Sequence, residues 1–131
     1  MADFTSALKI DTLNIDAYRN LAITFLNSGQ LKNALFDVNH AIRIAPQDVY
    51  MKGIRGFVNL RLNNYAESIK DYDIVISSNP AEARLYYYEN IDYFNLKDYR
   101  KAAELFTKTL ELDPNFPDAS RIRDEALKLV H

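Results

Sequence analysis

The chain has 131 residues, 48% hydrophobic and 26% charged, the proportions of one ordinary globular domain. A formal net charge of −2 speaks against nucleic acid, whose binders carry a basic excess, and no apolar run reaches the length of a membrane span. With no cysteine there are neither disulfides nor thiolate metal sites, and three glycines with four prolines are few for the turns of an all-β domain, so the composition points to helices. The start, MADFTSALKID, lacks a basic stretch followed by an apolar core, so no secretory leader is visible and a cytoplasmic location is expected.

The first predicted helix covers residues 2–12, with Phe4, Ala7 and Ile10 in phase. A second runs from Ile15 to Leu26, its apolar residues at positions 18, 21, 22 and 25 on one face. Gly29 offers the left-handed residue that closes it. The next helix carries Leu31, Ala34, Leu35, Val38, Ala41 and Ile42 on one stripe and stops ahead of Pro46. Proline lacks the amide hydrogen and restricts the residue before it, so the stop has a physical cause. Asp48 is placed to cap the following helix, and Asp98 the one after Lys97. Residues 117–130, PDASRIRDEALKLV, read as a closing helix. Pro117 suits its first turn; Ala119, Ile122, Ala126 and Val130 face inward, and the arginines, Asp124 and Lys128 face water. Helices of roughly 12 to 14 residues are marginal alone in water, so these must pack on one another.

A fixed interval organises the whole chain. Pro46, Pro80 and Pro114 are each 34 residues apart, as are Leu31, Tyr65 and Tyr99, then Ala34, Ser68 and Ala102, then Val38, Tyr72 and Phe106. Such a period marks a stacked-repeat protein. On the segments ALFDVNHAIRIAP, SIKDYDIVISSNP and AAELFTKTLELDP, the chain resembles the tetratricopeptide repeat family. The resemblance implies an all-α fold, a right-handed α-solenoid of antiparallel helix pairs forming a single domain over residues 1–131. Its expected parts are the second helix of a partial preceding repeat (1–14), repeats at 15–48, 49–82 and 83–116, and a capping helix over 117–131. A polar cover suits a terminal repeat, so the C-terminus looks finished; Thr12 stands where a proline is expected, and the N-terminus looks cut.

The chain departs from the family where paired helices meet. Arg55, Asn59, Glu89 and Asn90 occupy phases that favour small or apolar residues. Arg55 and Glu89 are 34 apart, on adjacent first helices, and are expected to approach each other; the alternative is an Arg55 that reaches water beside Gly56. The turn residues drift from Gly29 to Asn63 to Lys97. Lysine tolerates the left-handed conformation poorly, so the third turn is expected to be looser or differently shaped.

Nothing points to catalysis. The two histidines, His40 and His131, lie far apart, and no serine or carboxylate pair is arranged around either. Asp71, Asp73, Asp113 and Asp118 read as helix-surface and terminal acids. There is no glycine-rich phosphate loop and no ligand spacing for zinc or calcium. The expectation is a protein without catalytic residues, cofactor or metal.

Recognition remains. In the family, the first helices of successive repeats line a concave groove that commonly holds a peptide or a partner's helix. Helical spacing projects Arg19, Ile23 and Leu26 into that groove from the first repeat. The second contributes Tyr50, Ile54, Phe57, Leu60 and Arg61, and the third Arg84, Tyr87, Tyr88, Ile91 and Phe94; Tyr86 and Tyr93 turn to the paired helix. Chaperone-tail binders of the family clamp a terminal carboxylate with lysines, asparagines and an arginine. Here those phases hold Arg19, Ile23, Ile54, Arg84 and Tyr88, so that clamp is absent.

The expected function is therefore a protein–protein interaction module or scaffold holding an apolar or aromatic partner segment, with Arg19, Arg61 and Arg84 selecting acidic flanks. The bland alternative has these side chains packing on each other between adjacent helices. A different reading is self-association, or continuation of a repeat array, through the unpaired N-terminal helix. The resemblance also allows a secretion-type chaperone for hydrophobic peptides.

Overall fold

A computed structural model describes residues 4–117 together with Arg121, Asp124, Lys128 and Leu129, with side chains described from position 15 onward. Six helices follow one another: α1 (Phe4–Asn27), α2 (Leu31–Ile44), α3 (Val49–Arg61), α4 (Tyr65–Ser78), α5 (Ala83–Asn95) and α6 (Tyr99–Leu112). No strand occurs among the described residues. Each odd-numbered helix packs chiefly on the even-numbered one after it, α2 touches α3 and α4 touches α5, and α3 also reaches α1 and α5. The result is an all-α solenoid of stacked helix pairs. Most of the expected closing helix over 117–131 lies outside the described residues.

The turns within pairs share one backbone solution. Gly29, Asn63 and Lys97 are left-handed, with φ of 80°, 66° and 68°. Each donates its amide to the carbonyl three residues back, at 3.1, 3.1 and 3.0 Å, and the next residue donates to the carbonyl five back, at 2.8, 2.8 and 2.9 Å. The expected irregular third turn is thus corrected: its hydrogen bonds are those of the other two. The helices on either side dictate where the chain must reverse, and Lys97 takes the strained conformation to meet them.

The first helix departs from expectation as well. Instead of one helix ending near Thr12 and another starting at Ile15, α1 runs unbroken for 24 residues. Later pairs are separated at Pro46 and Pro80; Thr12 keeps its amide hydrogen and imposes no break. At the other boundaries the expected caps form, with Asp48 accepting from the Met51 amide and Asp98 from the Lys101 amide, both at 3.2 Å.

The periodic positions make the core. Ala34, Ser68 and Ala102 are completely buried, as are Val38 and Phe106, with Tyr72 at 1% exposure. The small residues let paired helices approach, and the large ones fill the space they open. Ala22, Val38, Ala41 and Met51 form one cluster with Tyr18, Leu35, Ile42 and Ile54 against it. Tyr72, Val75 and Leu85 form a second, flanked by Val49, Phe57, Leu60, Ile76 and Tyr88. Gly56 lets α3 approach α4, since a Cβ there would lie 3.3 Å from the Tyr72 ring. Leu21, placed on the buried face of its helix by spacing alone, is 45% exposed.

Two electrostatic expectations are overturned. Arg55 does not reach along the array to Glu89; its guanidinium makes a bidentate pair with Asp71 of α4, Nε to Oδ2 at 2.8 Å and Nη2 to Oδ1 at 2.9 Å, and Nη1 donates to Asn39 Oδ1 at 3.2 Å. Asp71, expected at the surface, is 3% exposed. The second helix of a repeat lies closer to its own first helix than the next first helix does, so the arginine finds its acid within the pair. Its hydrogen bonds with Asp71 raise the Arg55 pKa further.

Candidate functional site

Between α3 and α5 the solenoid opens a pocket of about 370 Å3. Tyr50, Ile54 and Phe57 come from α3, Arg84 and Tyr88 from α5, and Leu26 from α1. These six were among the thirteen side chains that spacing projects into the groove. Phe57 and Tyr88 meet with ring centroids 5.2 Å apart, and Tyr88 continues onto Tyr72 at 5.8 Å. Tyr50 stands at the mouth, 59% exposed.

The other seven lie apart from the pocket wall. Arg19 is held by Asp48 at 3.0 Å and Asp16 at 3.4 Å, with its guanidinium 5.4 Å from the centre of the Tyr50 ring. Arg61 donates to the Leu26 carbonyl at 3.3 Å. Leu60 packs on the second core cluster. Tyr87 meets Phe106 edge-on at 6.0 Å and Phe116 at a tilt at 4.8 Å, and Phe94 meets Tyr99 edge-on at 5.1 Å; both rings are turned toward following parts of the chain. Ile23 and Ile91 are half-buried outside it. Tyr86 and Tyr93 face the paired helix, under Lys108 and Lys101.

Spacing alone missed the rest of the lining. Val49 and Leu85 enter from flanking phases of the first helices, Tyr72 and Val75 form a floor from α4, and Asn79 and Glu82 come from the connection. Gly53 has no side chain to project, yet it makes part of the wall, and a Cβ there would meet only the Val75 methyls at 3.8 and 4.0 Å. A helix-interior glycine costs about 1 kcal/mol against alanine, and that cost was the signal available in the sequence. At the rim, Arg84 and Glu82 pair loosely at 3.9 Å, both substantially exposed.

Behind the pocket, α5 buries two acids. Glu89 is 4% exposed and Asp92 0%. Burial pushes the Glu89 carboxyl up to about 9, helped by a hydrogen bond with Asp73 and that group's charge. Burial also pushes Asp92 up to about 7, against the hydrogen bond from Ser68. Asn59, expected on a helix-pairing face, is buried and accepts from Asn64 at 3.2 Å. His40 stacks on Tyr18 at 5.2 Å and meets Phe36 edge-on at 4.4 Å. Among the described residues no group of His, Cys, Asp or Glu is arranged to hold a metal ion, and no helix is long and apolar enough to cross a membrane.

Residues 15–48 and 83–116 match family models of the tetratricopeptide repeat. Human tetratricopeptide repeat protein 6 is 29% identical over 111 residues, covering 85% of this chain, which in turn spans 21% of that protein's length. The tetratricopeptide domain of Arabidopsis OM64 has a TM-score of 0.82 at 16% identity, over 92% of this chain and 99% of that one. The first such domain of Spaghetti (RPAP3), bound to the HSP90 peptide SRMEEVD, has a TM-score of 0.80 at 16% identity, over 88% and 92%. At these identities the likeness between structures is one of fold.

Proposed function

This chain belongs to the tetratricopeptide repeat family, and from that premise we propose that it is a protein-interaction module that seats an apolar or aromatic segment of a partner protein between α3 and α5. The open pocket of about 370 Å3 carries the proposal. An apolar cavity of about 150 Å3 holds a benzene molecule, so there is room here for a large side chain with part of its neighbour. Its wall of Ile54, Phe57, Val75, Leu85 and Tyr88 rewards apolar burial at about 25 cal/mol per Å2. A few seated side chains then support binding after the ordering costs of association.

Peptide binding on this fold has a precedent in the Spaghetti domain with its HSP90 peptide, but the grip proposed here is different. A carboxylate clamp would need free cations and amides. Arg19 is engaged by Asp48 and Asp16, and positions 23, 54 and 88 hold Ile, Ile and Tyr. Arg84 remains at the rim to favour an acidic flank, which affects register and on-rate more than affinity.

Phe57 and Tyr88 pack on the core cluster of α4, so truncating them costs stability as well as surface. Filling the pocket is the cleaner perturbation. Panning a displayed random-peptide library should enrich aromatic and aliphatic sequences on the wild type and lose them on Gly53→Leu, whose helicity is retained. Enrichment that survives Gly53→Leu would refute the pocket as the site.

Self-association is favoured by a separate observation. Phe36 and Leu21 are 63% and 45% exposed on the α1–α2 end, where His40 stacks on Tyr18 and meets Phe36 edge-on. Sedimentation over a range of concentrations tests it, and a strict monomer throughout would rule it out.

A further inference from the structure

The seam between α5 and its neighbours is built with acids in place of apolar residues. Glu89 and Asp92 continue at helical spacing the buried stripe that begins with Leu85. One oxygen of each, Glu89 Oε2 and Asp92 Oδ1, has no hydrogen-bond partner among the described residues. From α4, Ser68 donates to Asp92 Oδ2 at 2.6 Å, and the charge of Asp73 acts on Glu89. Lys101 of α6 acts on Glu89 from an exposed position, with its amine 6.0 Å from the centre of the Tyr93 ring, and Asp92 and Tyr93 act on it from α5 itself. Along α4, Asp71 is already taken by Arg55 of α3, and Tyr72 presents a buried hydroxyl without a partner among the described residues.

An ionised carboxylate in such a place loses its water without gaining a close cation among the described residues, and a second carboxylate beside it adds repulsion. A carboxylic acid fits, because the protonated group has no charge to be stripped of water or repelled by Asp73.

We propose that the junction of α4, α5 and α6 is a proton-operated seam, closed while Glu89 and Asp92 carry their protons and loosened when they ionise. Loosening moves α5 against α4, and these two helices supply Leu85, Tyr88, Tyr72 and Val75 to the pocket. The device stands on the packing of α5 and holds whether or not the pocket takes a partner.

The direction of the pH effect follows from the burial. A carboxyl that ionises less readily in the folded chain than in the unfolded one favours folding at low pH. For Glu89 that contribution is complete below its ordinary value of 4.5 and is lost as pH rises to about 9. For Asp92 the window runs from 3.8 to about 7. Within each window the unfolding constant rises by up to about tenfold per pH unit per group.

Urea denaturation of the full chain between pH 5.5 and 9.5 tests this, comparing wild type with Glu89→Gln and Asp92→Asn. Wild-type stability should fall across the range. Glu89→Gln should flatten the alkaline part of the curve and Asp92→Asn the part below neutrality, while hydrogen exchange shows the wild-type loss concentrated in residues 83–95. Should Glu89→Gln fail to fold, Asp73→Asn at an exposed position removes a charge that opposes Glu89 ionisation and should move the alkaline fall to lower pH. Wild-type and variant curves that run parallel, or an unmoved transition in Asp73→Asn, would overturn the proposal.

Discussion

The pairing of Arg55 with Asp71 gives the most discriminating test of how this solenoid holds its helices. The Asp71 side chain is 4% exposed and that of Arg55 28%, so the two members respond unequally to loss of the other. Arg55→Ala leaves a carboxylate in a closed site, for which breaking a buried pair costs about 3 to 5 kcal/mol. Water that enters where the arginine stood reduces this, so a cost of about 3 kcal/mol is expected. Asp71→Ala leaves a guanidinium that still reaches solvent and Asn39, and a cost of about 1.5 to 2 kcal/mol is expected for the two lost charge-assisted hydrogen bonds. The double variant has no orphaned charge and should lose about 2 kcal/mol less than the sum of the two. Urea denaturation with linear extrapolation measures all three, with a constant m-value confirming that the unfolded state is unchanged. The same cycle between Arg55 and Glu89 should be additive within about 0.5 kcal/mol. Additivity between Arg55 and Asp71, or coupling between Arg55 and Glu89, would refute the pairing.

Other expectations rest on backbone geometry. Lys97→Gly should stabilise the fold by about 1 kcal/mol, because φ at Lys97 is 68° and a side chain in the left-handed region costs about that much; an unchanged melting temperature would contradict this. Gly53→Ala should add up to about 1 kcal/mol of stability, since its Cβ meets the Val75 methyls at 3.8 Å. Gly56→Ala should destabilise, because the new Cβ presses at 3.3 Å on a Tyr72 ring that is 1% exposed. Thermal melts of the two glycine variants should therefore move in opposite directions.

Part of the candidate pocket's lining was already legible in the 34-residue phase. That phase placed Leu26, Tyr50, Ile54, Phe57, Arg84 and Tyr88 on one surface, and they share one pocket. Tyr87 and Phe94 lie apart from that pocket, because periodicity assigns a helix face without saying what lies over it. Phe116 and Tyr99 occupy the space that a free groove would leave to them. It also could not see the floor, which belongs to second helices, or Gly53, whose contribution is empty volume.

What the sequence determined by itself was whatever depends on neighbours along the chain. Helix starts at Asp48 and Asp98, stops before Pro46 and Pro80, and the buried series through Val38, Tyr72 and Phe106 all follow from local chemistry and a fixed period. The tertiary structure decided what depends on distance across helices. It gave Arg55 to Asp71 instead of Glu89, made Lys97 adopt a glycine's conformation, and placed Glu89 and Asp92 where no cation among the described residues pairs with them. A charged side chain carries the same sequence signal on a surface as in a seam; only the packing around it sets its partner, its proton and its cost.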